Sequence, residues 1–148
     1  MKAIILHEPG RFEYITKEKP SDLKPDNVLL KIKKVSICGT DLHAYKGKQP
    51  FFTYPRILGH EVSAEIVTVG SEVEGLKVGD KCTVEPYRNL VADQAVRKGK
   101  TNCGSSLTVL GVHEDGAMQE YITYKASHVH LTNGLDDDQI SLIEPLAI

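Results

Sequence analysis

Short runs of alternating apolar and polar residues dominate this chain. Asn27 to Ile37 sets Val28, Leu30 and Ile32 on one face and Lys31 and Lys33 on the other, the period of a half-buried strand. Glu61 to Val69 reads as a second strand that offers Val62, Ile66, Val67 and Val69 to a core and is closed by Gly70. Lys2 to Leu6, Lys81 to Glu85, Ala117 to Tyr124 and His128 to Leu131 predict four more. Gly75 to Asp80 is a turn between strands, and Phe51 to Pro55 an aromatic, proline-bounded loop. Gly39 to Lys46 predicts a short helix stopped near Gly47. A second helix begins at Asp136-Asp137-Asp138, where acidic residues suit a first turn. Ile140 and Ile143 give it an apolar side, and Pro145 limits it. Many short strands, glycine-rich turns and few helices predict a mainly β fold, an irregular barrel or sandwich.

Composition narrows the class. A length of 148 residues suits one domain with one substantial core. A net charge of −2 and the absence of a basic run argue against a nucleic-acid partner. No apolar stretch has spanning length and Met1-Lys2-Ala3 opens no signal peptide, so a cytoplasmic protein without membrane association is expected. Cys38, Cys82 and Cys103 are odd in number and unrelated in spacing, which fits reduced thiols rather than a disulfide framework.

Two segments carry chemistry. Cys38-Gly39-Thr40-Asp41-Leu42-His43 and Gly59-His60-Glu61 together supply a thiolate, an imidazole and a carboxylate, a donor set suited to Zn²⁺. Thr40 and His43 add groups that can move a proton. Singly, each has an ordinary reading: Cys38 as a small buried hydrophobe, His60 as a satisfied histidine, Glu61 as a solvated charge. The combination favours a metal site, with Asp41 placed to orient a ligand histidine.

The chain resembles the N-terminal catalytic domain of the zinc-dependent medium-chain alcohol, polyol and threonine dehydrogenases, a GroES-like irregular β-barrel with a few short helices. The resemblance rests on the two segments above, on Val78-Gly79-Asp80, on the run from Leu110 to Gly116 and on Ile143-Glu144-Pro145-Leu146. It implies that Cys38 and His60 are ligands of one catalytic zinc, that Glu61 is a carboxylate that binds it in some states, and that Glu144 matches the remaining ligand position, either as a direct ligand or by holding a zinc-bound water. It implies that Thr40 takes the substrate proton, that His43 relays it toward solvent, and that Asp41 partners the ligand histidine. The implied reaction oxidises an alcohol to a carbonyl by hydride transfer to NAD or NADP. A carboxylate at Glu144 favours polyols, sugar alcohols or hydroxy amino acids.

Two departures qualify the match. The family's structural zinc lobe uses cysteines spaced C-x2-C-x2-C-x7-C. The corresponding positions are Asn89, Ala92, Ala95 and Cys103, so a second, structural zinc is expected to be absent, with Ala92, Ala95 and Val96 packing the lobe as a short helix. No G-x-G-x-x-G occurs, so the dinucleotide is expected to bind a Rossmann domain outside residues 1–148. Alone, these residues are expected to hold zinc poorly and not to turn over substrate; the full-length protein is expected to be a homo-oligomer. Ala64 stands where the family usually has Gly. Cys82 is expected in the core, His113 and Asp115 in a structural turn, and His128 and His130 two apart on one strand face, solvated. Lys17-Glu18-Lys19 is expected to be solvated too, with Tyr54 to Arg56 near the substrate entrance. The competing readings are a zinc-free quinone-reductase-like relative, which would lack Cys38 and His60, and a non-enzymatic GroES-like module.

Overall fold

The computed structural model describes residues 1–50, 52–132 and 134–148. Its frame is an antiparallel five-stranded sheet. In chain order the strands are β1 (Lys2–Glu8), β2 (Arg11–Thr16), β3 (Asn27–Ser36), β4 (Glu61–Val69), β5 (Lys81–Val84), β6 (Tyr87–Asn89), β7 (Leu107–Val109), β8 (Tyr121–Lys125) and β9 (Val129–Leu131). The central sheet runs β8-β3-β4-β5-β9, and β1-β2 and β6-β7 are separate two-stranded sheets. The helices are α1 (Gly39–Tyr45), α2 (Gln94–Arg97), α3 (Asp137–Ser141) and α4 (Ile143–Ala147). The mainly β class expected from the alternation is the one observed.

Alternation explains the core. Val28 and Leu30 of β3, Val62, Ala64 and Ile66 of β4, Cys82 and Val84 of β5 and Tyr124 of β8 form one buried cluster. Side chains such as Leu30 and Ile66, fully buried, each contribute about 1.5–3 kcal/mol relative to exposure. Burial, and secondarily Asp80, pushes the Cys82 thiol up to about 12, so it is a packing residue rather than a reactive one. Ala64 faces this core without exposure and pairs with Cys82. β3 and β4 slip register between Leu29 and Leu30 and between Ile32 and Lys34, each slip being a bulge that bends the sheet.

Several boundaries differ from the sequence reading. β8 starts at Tyr121 rather than Ala117, because the preceding residues cross β1, with Gln119 bridging Ala3 and the Ile4 N–H donating to the Met118 carbonyl at 2.9 Å. His128 closes a 3₁₀ turn, Ala126–His128, and only His130 lies in β9, so the two histidines do not share a strand face. The last helix is two: α3 ends at Ser141 and α4 runs through Pro145, because proline is tolerated in a first turn, where its N–H would lack a partner. Asp136 caps α3, accepting the Gln139 N–H at 2.8 Å while Gln139 returns the contact at 3.0 Å. Of the expected loop from Phe51 to Pro55, Phe51 lies outside the described residues.

Candidate metal centre

The β3–β4 register builds the centre. Ser36 pairs with Glu61, so the outgoing end of β3 lies beside the incoming end of β4. Cys38, two residues beyond Ser36, therefore meets His60 and Glu61. One donor atom from each of Cys38, His60 and Glu61 lies within 4.8 Å of the others. His60 and Glu61 are buried, at 4% and 5% exposure, and Cys38 is half-buried. His60 Nδ1 is buried without a hydrogen-bond partner among the described residues. Buried imidazole and carboxylate groups are costly unless something satisfies them. A thiolate, imidazole and carboxylate converging this closely suit a zinc ion.

The backbone before His60 is held on two sides. Leu6 and Arg56 exchange N–H to carbonyl bonds at 2.9 and 3.0 Å. The N–H groups of Gly116, Ala117 and Met118 donate to the carbonyls of Ile57, Gly59 and Leu58 at 2.7–2.9 Å, and the Asp115 carboxylate accepts the Ile57 N–H at 3.1 Å. A Cβ on Gly116 would stand 2.4 Å from the Leu58 carbonyl oxygen, and one on Gly111, which has φ of +77°, 2.9 Å from the Gly59 nitrogen. The Leu110–Gly116 run thus needs glycine at positions 111 and 116 to let the loop press against the Leu58-Gly59 backbone before His60. Asp115 and His113 have structural roles, His113 Nδ1 accepting the Val109 N–H at 3.1 Å.

Helix α1 carries the remaining groups. Cys38 is its N-cap, and the Asp41 carboxylate accepts the Cys38 N–H at 3.0 Å, which anchors the helix start to Cys38. Asp41 is buried; burial raises its pKa, while the Cys38 N–H and the nearby His60 pull it down. No hydrogen bond joins Asp41 to His60 among the described residues. Thr40 Oγ1 is buried without a partner among the described residues, whereas His43 is exposed. Tyr54 donates to the Ala44 carbonyl at 2.5 Å, bracing the helix from the loop before His60.

Glu144 reaches the area from α4. It is 8% exposed and stands outside the three-residue group, yet close enough for His60 and Glu61 to act on it. Burial raises its pKa, His60 opposes that, and Glu61 adds to the rise. Glu144 lines a cavity of about 300 Å³ with Thr83, Tyr87, His130 and Ile143. Burial, then Glu144 and Cys38, raises the Tyr87 phenol's pKa. The sequence reading passed over Tyr87; its only signal is its place directly after Pro86 at the end of β5.

The lobe from residue 89 to 106 is held by side-chain hydrogen bonds. Asp93 caps α2 by accepting the Val96 N–H at 3.0 Å and also accepts the Ser105 N–H and hydroxyl, both at 2.7 Å. Ser106 Oγ accepts the Val91 N–H at 2.8 Å, and Asn89 Nδ2 donates to the Thr101 carbonyl at 3.0 Å. Ala95 and Val96 lie half-buried on the short helix as expected, but Ala92 precedes it and is exposed. The Val96 and Ser105 donors hold the Asp93 carboxyl down at about 2, from an ordinary 3.8. A folded value below the unfolded one means that its contribution is fully present above 3.8 and is lost as pH falls through about 2. Asp93→Ala should therefore quicken tryptic cleavage at Arg97, Lys98 and Lys100 near neutral pH, and the difference from wild type should shrink in an acid-stable protease assay near that lower pH. Equal cleavage rates at neutral pH would show that Asp93 does not hold the lobe.

Comparison with known proteins places this arrangement. The family described as "Alcohol dehydrogenase GroES-like domain" matches residues 24–134. The L-galactonate-5-dehydrogenase of Escherichia coli K12 is 42% identical over 149 residues, covering all of this chain and 43% of the relative. Among solved structures, galactitol-1-phosphate dehydrogenase from Escherichia coli superposes with a TM-score of 0.91 at 28% identity, over 99% of this chain and 42% of that one. A short chain alcohol dehydrogenase from Escherichia coli CFT073, complexed with NADH, gives 0.88 at 34% identity, over 98% and 42%. The chain thus spans less than half the length of the relatives it matches.

Proposed function

Because the chain belongs to the zinc-type medium-chain dehydrogenase family through its alcohol dehydrogenase GroES-like domain, we propose that it is the metal-binding catalytic half of an NAD- or NADP-dependent alcohol dehydrogenase. The convergence of Cys38, His60 and Glu61 within 4.8 Å is the observation that carries this reading. In it these three residues hold zinc, and Glu144 is the remaining donor. Bound there, zinc supplies Lewis-acid polarisation of an alcohol oxygen.

The chain's own residues manage the proton. Thr40, in the first turn of α1, keeps a buried hydroxyl oxygen free to take the substrate's hydroxyl proton as it releases its own into the relay. His43 lies three residues on, a neighbour on the same helix surface, and its exposed ring passes the proton to solvent. Asp41 fixes the helix start through the Cys38 N–H and stands near His60. The nicotinamide acceptor belongs to a dinucleotide site outside these residues, a reading supported by the NADH complex of the relative and by the lack of a G-x-G-x-x-G sequence here. The names of the two sugar-derivative dehydrogenases, together with a carboxylate at Glu144, favour a polyhydroxylated substrate. Tyr87, lining the cavity beside Glu144, is placed to hydrogen-bond a second substrate hydroxyl.

Cobalt(II) substitution tests the centre. Metal-free protein titrated with cobalt should develop near-ultraviolet thiolate-to-metal charge-transfer absorption and the intense visible bands of a four-coordinate ion. Cobalt binding without the thiolate band would overturn the assignment of Cys38.

A further inference from the structure

Glu144 approaches the three-residue group from a different element, so its reach depends on how α4 is seated. The helix pair that delivers it has few apolar anchors: Ile140 is fully buried, but Leu142 and Leu146 are 55% and 87% exposed. Polar contacts supply the rest. Ser63, fully buried, stands two residues beyond Glu61 on β4 and so on the same face. Its hydroxyl donates to Asp137 Oδ1 at 3.1 Å, and the Lys81 ammonium from β5 lies 3.2 Å from the same oxygen. At the other end of α3, the Ser36 hydroxyl donates to Ser141 Oγ at 3.0 Å, and Ser141 donates to the Asp138 carbonyl at 2.9 Å. Ser36 is the residue paired with Glu61. Lys34 also pairs with Asp138, an exposed contact of small weight.

We propose that Ser63, Asp137 and Lys81 form a polar clamp that sets the distance of the Glu144 carboxyl from the Cys38, His60 and Glu61 donors. These are positioning residues, and the proposal rests on the metal-centre reading above. The clamp ties α3 to the strand residues next to the ligands, so movement of the Glu61 end of β4 carries the helix pair with it. Leu142 is the shared end of α3 and α4, so α4 follows α3 without an intervening loop. Ser63 donates to a carboxylate that Lys81 also holds, and charge-assisted contacts of this kind fix geometry more firmly than neutral ones.

The test is a double-mutant cycle on zinc affinity, read by competition with a chelating dye in the full-length protein. Asp137→Ala leaves the Asp136 cap intact and should weaken zinc binding about tenfold, the low end of what outer-shell partners cost. Glu144→Gln should weaken it at least as much, and the double variant should be no weaker than Glu144→Gln alone. The cobalt visible bands should shift alike in the two single variants. Ser63→Ala, a smaller change, should show the same effect in milder form, with the thermal midpoint of the metal-free protein unchanged. An Asp137→Ala loss of equal size with and without Glu144, or no loss at all, overturns the clamp while leaving the metal centre standing. A Glu144→Gln variant with wild-type affinity also overturns it. Wild-type protein that takes up no zinc overturns both.

Discussion

Replacing Cys38 by serine should strip the protein of zinc and leave its fold in place. The thiolate is the softest donor of the group, and a serine hydroxyl stays protonated and binds zinc poorly. The contact between Asp41 and residue 38 runs through the backbone N–H, so it survives the change. Serine is also a better N-cap than cysteine for α1. Zinc affinity should fall by more than about 100-fold, beyond the range expected for an outer-shell change. Metal analysis after dialysis, alongside a thermal melt of the metal-free protein, reads both parts. Full zinc occupancy in the variant would mean that Cys38 is not a ligand.

Thr40→Ala should separate proton transfer from metal binding. Zinc content should match wild type, while kcat of the full-length enzyme falls by about 10²–10⁴-fold, the usual loss when a positioned proton-transfer group is removed. Thr40→Ser, which keeps the hydroxyl, should recover most of the rate. A Thr40→Ala enzyme within a few-fold of wild type would remove this residue from the relay.

The parts legible in the sequence were those where one local signal decides the outcome. β4 begins and ends as the pattern indicated, with Val62 and Ile66 in the core as read, although Glu61 to Ala64 are buried on both faces. Helix α1 was legible through its stop near Gly47, and the metal group through motif spacing. Other features depend on contacts made elsewhere in the chain. β2 escaped notice because Phe12 and Tyr14 stay exposed, at 43% and 79%, so its alternation marks no core face. Phe12 instead stacks on Tyr45, with ring centroids 5.5 Å apart. The start of β8 is set by the crossing with β1, and the break between α3 and α4 by Leu142 rather than Pro145. The seat of Glu144 depends on Ser36 and Ser63, more than seventy residues away in sequence, and nothing near Glu144 announces them.

The Asp93 staple and the Cys38 centre share no partner. The staple's fastening is a carboxylate and hydroxyl set drawn from the chain itself, in a lobe where Asn89, Ala92 and Ala95 carry no sulfur. Loss of metal or oxidation at the Cys38 centre should therefore leave the lobe's fastening in place, because Val96 and Ser105, and not Cys38, His60 or Glu61, are its partners.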